Sequence, residues 1–402
     1  MIARLIIDYH LRRLIKTGTV EIFWPDGSWT RYGDGQFPRA ALEIKSAATA
    51  RRLVINPDLA MGEAYMDGTL KPVECTVYDV LRVFMSNTEL YDRGTFIMRI
   101  RRIFRRIYRT LSQANSKIRS MRNVKHHYDI GNDFYRLWLD ETMTYSCGYF
   151  RTQEDPLMQA QKNKIEHILK KLNLKEGQTL LDIGCGWGEL VITAAQKYKV
   201  KALGITLSSE QHAKAKEKIA EEKLEDRVEV QLVDYRELKN RRFDRVVSVG
   251  MAEHLGKDHL SEYFVALNRL LTEGGISLLH CITNLDDQRT NTWISKYIFP
   301  GGHIPSVKSL VQHLTEERFH LVDMESLRRH YAKTLEHWAK NFENALPEIR
   351  KTKDDAFIRM WRLYLNSSAA AFKSGSIDIH QFLFTKGIND ELPWTREHIY
   401  NG

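Results

Sequence analysis

The 402 residues contain no apolar run near the ~18 that a membrane-spanning helix needs. Cysteine is scarce. Cys75, Cys147, Cys185 and Cys281 lie far apart with no C-x-x-C pair. That spacing excludes a disulfide framework and a cysteine-zinc site, so a reducing cytoplasm and no bound metal are expected. The opening MIARLIIDYHLRRLIKTG is broken by Arg4, Asp8, Arg12 and Arg13, which excludes the apolar core of a secretory signal. No phosphate-binding lysine loop occurs, which argues against a kinase or ATPase. Acids are missing altogether between Arg93 and Arg122, where ten basic residues fall. With a net charge of +9, nine less ten leaves −1 for the rest of the chain, so the basicity is local.

The hydrophobic fraction of 43% and charged fraction of 28% are those of an ordinary folded protein, and the length suits two domains. Residues 1–92 read as a small α+β domain. TVEIFWPDGSWTRYG is a strand–turn–strand pattern, and helical spacing follows in SAATARRLVINPDLAMGEAYMDG and TVYDVLRVFMSN. The segment GEAYMDG on its own reads as a helix ending in a turn. Residues 93–122 form a linker in which Ile97, Ile100, Phe104, Ile107, Tyr108 and Leu111 recur at three- and four-residue steps. Arg99, Arg102, Arg105, Arg106 and Arg109 occupy much of the rest, so the linker reads as an amphipathic basic helix. A solvated connector, a nucleic-acid arm and an interfacial membrane helix compete for it. No nucleic-acid reader module accompanies it, so the surface of an anionic phospholipid membrane is the expected partner of Arg101, Arg102, Arg105 and Arg106, and nucleic acid is not.

Residues 123–402 alternate strands with helices. TLLDIGC, KALGIT, VEVQLVDY, FDRVVSVG and GGISLLHCIT read as buried strands, HLSEYFVALNRLLTE as a helix, and SIDIHQFLFTKG as a last strand. The expected class is α/β, a mostly parallel doubly wound sheet. LLDIGCGWG sets Gly184, Gly186 and Gly188 where the first strand turns into a helix, with Asp182 just ahead. The dinucleotide pattern G-x-G-x-x-G fails at Glu189. The G-x-G-x-G spacing resembles instead the S-adenosylmethionine loop of Rossmann-like class I methyltransferases. By position, Thr206 and Gln211 are the candidates for the ribose, and Asp234 and Tyr235 for the adenine.

The residues alone leave Cys147, in TYSCGYF, open between core packing, nucleophile and metal ligand. Several stretches together resemble the cyclopropane fatty acid synthase family: HYDIGNDFYRLWLDETMTYSCGYF, LLDIGCGWG, GITLSSEQ, FDRVVSVGMAEHLG, KYIFPGGHIPS and RMWRLYLNSSAAAF. They span nearly all of 123–402, and GEAYMDG is similar to the lipid-binding domain of the longer bacterial members. The resemblance implies methylene transfer from S-adenosylmethionine to the cis double bond of an unsaturated phospholipid acyl chain. It further implies a homodimer at the inner face of the membrane, a bound bicarbonate as base, and Tyr145 and Ser146 among the cofactor contacts. By motif, the bicarbonate holders are Cys147, Glu253, His280, Tyr331 and the backbone of Ile282, with Glu253 orienting His280 or meeting the anion's hydroxyl. Cys147 is then an anion ligand. Cys185 and Cys281 are expected to pack rather than react. Ser368 stands where many members carry cysteine, which argues against an obligatory thiol there. Tyr145, Phe150, Tyr297, Phe299 and Trp394 are candidates to line an acyl tunnel or face a cation. A methyltransferase of another lipid or small molecule, and an RNA methyltransferase, are the competing readings.

Overall fold

Residues 2–91, 130–256 and 259–400 are described by the computed structural model. They divide into two units, the first containing residues 2–91, 291–298 and 335–376 and the second the other described residues. The linker 93–122 expected to be a basic helix, with Arg101, Arg102, Arg105 and Arg106, lies outside the described residues.

In the first unit, β-propensity and turn chemistry set a small sheet. Strands β1 (Thr19–Phe23) and β2 (Trp29–Gly33) pair antiparallel around a turn in which the Gly27 N–H donates to Trp24 O at 3.0 Å. Gly27 has φ 82°, a conformation that favours glycine. Strand β3 (Arg39–Ile44) runs parallel to β1, and β4 (Leu70–Pro72) antiparallel to β3, giving the order β2-β1-β3-β4. Alternation along β1 and β3 buries Val20, Ile22, Leu42 and Ile44 in one core. Ser46 caps the helix Ala47–Ile55, and Pro57 opens the next, Pro57–Met66, where its missing N–H costs nothing.

The GEAYMDG segment is the end of that second helix and its turn, as its spacing predicts. Its residues are fastened. Gly62 packs against the indole of Trp293, and a Cβ there would lie 2.3 Å from Trp293 Cδ1. Glu63 accepts hydrogen bonds from Lys296 Nζ at 2.8 Å and the Tyr297 hydroxyl at 2.9 Å. Arg359 Nε donates to Met66 O at 2.6 Å from the helix Asp355–Ser374. Segments remote in sequence therefore complete this unit.

The second unit is built on seven strands in the order β12-β13-β9-β8-β5-β6-β7. These are β5 (Thr179–Ile183), β6 (Lys201–Thr206), β7 (Val228–Leu232), β8 (Phe243–Val249), β9 (Leu271–Thr283), β12 (Phe319–Ser326) and β13 (Asp378–Lys386). The short β10 (Gln288–Arg289) and β11 (His303–Ile304) pair beside them. Strands β7, β6, β5, β8 and β9 are mutually parallel, and β13 and β12 follow antiparallel. Because helices cover both faces, successive residues feed opposite cores: Leu181 and Ile183 one, Leu180 and Ala202 the other. The chain runs outward from β5 to β7 and then returns to β8. That reversal opens a crevice at the carboxyl ends of β5 and its neighbours. The α/β class and the six strands read from the sequence are present. Strand β12 is an addition. It is an edge strand with exposed Leu321, Val322 and Met324 and an irregular register at Leu321–Asp323, so its pattern does not alternate.

Gly62→Ala forces the Trp293 indole to move and should destabilise the protein by about 1–3 kcal/mol. A drop of several degrees in Tm would be seen by calorimetry, whereas an unchanged Tm would contradict the close packing.

Candidate active site

The crevice is formed where backbone must turn sharply. Gly186 (φ 56°) and Gly188 (φ 86°) adopt left-handed conformations after β5, and Gly188 precedes the helix Glu189–Tyr198. A Cβ at Gly186 would meet nothing within 4 Å, so that side of the loop is open to a ligand. The cleft is lined by Tyr145, Ser146, Asp182, Gly184, Gly186, Thr206, Gln211, Asp234 and Tyr235. These are nine of the ten cofactor residues expected from the sequence; Gly188 sits just behind, at the helix start.

Its polar groups are ordered. Thr206 Oγ1 donates to Gln211 Oε1 at 2.8 Å, and Ser208 caps the following helix through the Gln211 N–H. Asp234 is gripped by Arg236, whose Nε and Nη2 donate at 2.8 and 2.6 Å. Asp182 is buried. Its Oδ1 has no partner among the described residues, and desolvation pushes its carboxyl up to about 7 against the pull of Lys164.

Of the residues implied as anion holders, Glu253, His280 and Ile282 lie at neighbouring positions at the ends of β8 and β9. Val249 of β8 and His280 of β9 are register partners, and the Gly250 N–H donates to His280 O at 2.8 Å. Glu253 stands in a single turn, Ala252–His254, after β8, and its Oε1 accepts the Ile282 N–H at 2.7 Å. Burial pushes this carboxyl up to about 7, and Oε2 has no partner among the described residues. His280 does not pair with Glu253. Gln381, its register partner on β13, donates from Nε2 to His280 Nδ1 at 3.2 Å. With Nδ1 accepting, Nε2 carries the ring proton, and it too lacks a partner among the described residues. Burial holds the imidazole down to about 3, so it is neutral.

Cys147 is fully buried, with Sγ directed at Gly148 O (3.3 Å) and Leu327 O (3.9 Å). Desolvation pushes its thiol far up, so it is not a thiolate. The adjacent Gly148 N–H donates to Thr334 Oγ1 at 3.0 Å and the Phe150 N–H to His330 Nδ1 at 3.0 Å. Both acceptors are on the helix that carries Tyr331, so one helix registers the Cys147 segment. Cys185 and Cys281 lie in the two sheet cores, their thiols also pushed up by burial. Of the aromatic candidates, Tyr145 lines the cleft and Phe299 meets His254 edge-on at 5.7 Å. Tyr297 belongs to the first unit, and Trp394 is fully exposed, so Trp394 is not the wall of an enclosed tunnel.

A family model described as mycolic acid cyclopropane synthetase matches residues 115–382. This chain belongs to that family. A second model, a domain of unknown function, matches residues 8–92. The cyclopropane-fatty-acyl-phospholipid synthase of Escherichia coli K12 is 38% identical over 390 residues, 92% of this chain and 97% of the relative. A probable fatty acid methyltransferase of Pseudomonas putida is 44% identical over 287 residues, 69% of this chain and 73% of that one. The mycolic acid cyclopropane synthase CmaA1, solved with SAH and CTAB, aligns at TM-score 0.63 with 35% identity, covering 66% of this chain and 98% of that chain. The chain is thus an enzyme of the cyclopropane synthase family on a SAM-dependent methyltransferase fold.

Sequence reasoning passed over Gln381, Thr334, His330 and Lys164. Gln381 is visible only through strand register, and Lys164 occurs in a lysine-rich helix that reads as solvated.

Of the four thiols only Cys75 is partly exposed. A maleimide at pH 7.5 should label the folded chain once, at Cys75, and Cys75→Ser should abolish labelling. Rapid modification of Cys147 in the native protein would contradict its burial.

Proposed function

We propose that the chain transfers a methylene group from S-adenosylmethionine to the cis double bond of unsaturated acyl chains in phospholipids, closing a cyclopropane ring. The observation that carries the reading is the pair of buried, unpartnered polar atoms, Glu253 Oε2 and His280 Nε2, at the ends of adjacent strands beside the cofactor crevice. In this reading 1–92 is a lipid-binding domain, 93–122 a membrane-facing linker and 123–402 the catalytic domain.

The residues fit S-adenosylmethionine and bicarbonate. The open glycine turn, the Thr206–Gln211 pair and the buried acid Asp182 suit S-adenosylmethionine, which when bound supplies an electrophilic sulfonium methyl. Bicarbonate, when bound, supplies the base that takes a proton from the newly added methyl. A neutral His280 with its proton on Nε2 and a protonated Glu253 each offer one donor to an anion. A charged Glu253 would repel the same anion, so burial that keeps the carboxyl neutral favours binding. The Ile282 N–H contributes by orienting Glu253. In the same reading the Cys147 thiol, which the fold directs at the Gly148 and Leu327 carbonyls, would turn its S–H to the anion when it binds. Its high pKa suits a donor rather than a nucleophile, with Tyr331 on the neighbouring helix as a further holder. A buried, aromatic-lined site also keeps water from a cation developing on the acyl chain.

Membrane docking and a homodimer are part of the proposal. Helix Ile2–Leu14 exposes Ile2, Leu5, Ile6 and Tyr9 at helical spacing, with the Arg13 guanidinium over the Tyr9 ring at 4.1 Å. An apolar stripe beside arginine is the pattern of an interfacial helix. A peripheral position at the cytoplasmic face is part of the same proposal, and the exposed stripe supports its membrane contact. The name of the Pseudomonas relative favours a second reading, methyl transfer to a fatty acyl chain without ring closure.

Mass spectrometry separates these readings. Vesicles of a cis-unsaturated phospholipid are incubated with the protein and S-adenosylmethionine, with and without bicarbonate. Cyclopropanation predicts chains heavier by one CH₂ that lack an alkene, with yield dependent on bicarbonate. Glu253→Leu, which removes both the acceptor of the Ile282 N–H and the donor to the anion, should lower turnover by about 10- to 100-fold while S-adenosylhomocysteine binding persists. A methyl-branched product would favour the second reading, and unmodified lipid with cofactor bound would sink both.

A further inference from the structure

An ammonium is strongly hydrated, and its burial is unfavourable unless oxygen atoms replace the water it loses. Lys164, on the helix Leu157–Lys171, is only 3% exposed and lines the crevice beside Ser146, Asp182 and Gly184. An ammonium has three donors. Among the described residues the hydrogen bond of Lys164 goes to Ser146 Oγ at 3.0 Å, and no carboxylate forms an ion pair with it. Asp140, the Cys147 thiol, Asp182 and Glu189 act on it from farther away. A buried cation at the cleft wall thus keeps donors that the protein does not use.

We propose that Lys164 is the counter-charge for the α-carboxylate of the cofactor's methionine moiety, an assignment that rests on the crevice being the S-adenosylmethionine site. Of that ligand's groups the sulfonium and the α-ammonium are cations, which Lys164 repels. The ribose and adenine are neutral and find Thr206, Gln211, Asp234 and Tyr235 at the ends of β6 and β7. The carboxylate is the one anion. Asp182 stands in the same wall with an unpartnered Oδ1, suited to accept from the neighbouring α-ammonium. Lys164 and Asp182 together would read the zwitterion, a cation and an acceptor presented side by side. Burial lowers the Lys164 ammonium only to about 8, so it remains mostly charged at neutral pH.

Titration calorimetry on the full chain tests the assignment, using S-adenosylhomocysteine and its decarboxylated analogue, which keeps the amine and the nucleoside. Wild type should bind the carboxylate ligand about 10- to 100-fold more tightly, the effect of one charge-assisted pair in a dry site. In K164M the two ligands should bind within about threefold of each other, while K164R keeps most of the preference. If K164M weakens both ligands equally and the preference survives, Lys164 merely supports the Ser146 segment and the proposal is overturned. A wild-type protein without preference overturns it too, whether or not K164M folds. Failure of wild type to bind either ligand would refute the reading of the crevice itself.

Discussion

Desolvation at the carboxyl ends of β5, β8 and β9 governs this site. The same burial pushes five buried groups there toward neutrality. Glu253 and Asp182 are pushed up to about 7, His280 is held down to about 3 and His254 to about 4, and Lys164 falls to about 8. A parallel sheet with helices on both faces brings this about, because its strand ends are covered and dry. The fold and the electrostatics of the crevice therefore have one origin.

A dry, near-neutral site suits the proposed chemistry in two ways. Neutral acids and imidazoles donate to an anion without repelling it, and each such bond is stronger where water is absent. A carbocation on an acyl chain is also shielded from water, which would otherwise intercept it. The arrangement has a cost in native stability. The folded protein holds the Glu253 and Asp182 protons more tightly than the unfolded chain. Stability from this source is therefore greatest below the usual carboxylate range and declines as pH rises through about 7.

Much of this was legible in the sequence because burial on both faces leaves continuous apolar runs, as in TLLDIGC and FDRVVSVG, and because three glycines after a strand demand a turn. Strand β12 was not legible, since an edge strand with Leu321, Val322 and Met324 facing water has no clean period. Residues 291–298 and 335–376 belong with the N-terminal unit, although nothing in their local pattern says so. Trp293 against Gly62 is a contact across more than two hundred positions. In the site, motif similarity pointed to His280 and Glu253 but not to what holds them. Gln381 fixes the imidazole and the Ile282 N–H fixes the carboxylate, and both depend on strand register rather than on spacing. Lys164 was hidden because lysine in QKNKIEHILKK has the local character of a solvated face.

The central claim is that Glu253 retains its proton near neutrality and presents it to an anion. Infrared difference spectra between wild type and Glu253→Gln, recorded from pH 5 to pH 9, read that carboxyl directly. The account predicts a protonated-carboxyl band that titrates near pH 7 and persists to higher pH when bicarbonate is added. A Glu253 already fully ionised at pH 5, and unmoved by bicarbonate, would contradict it.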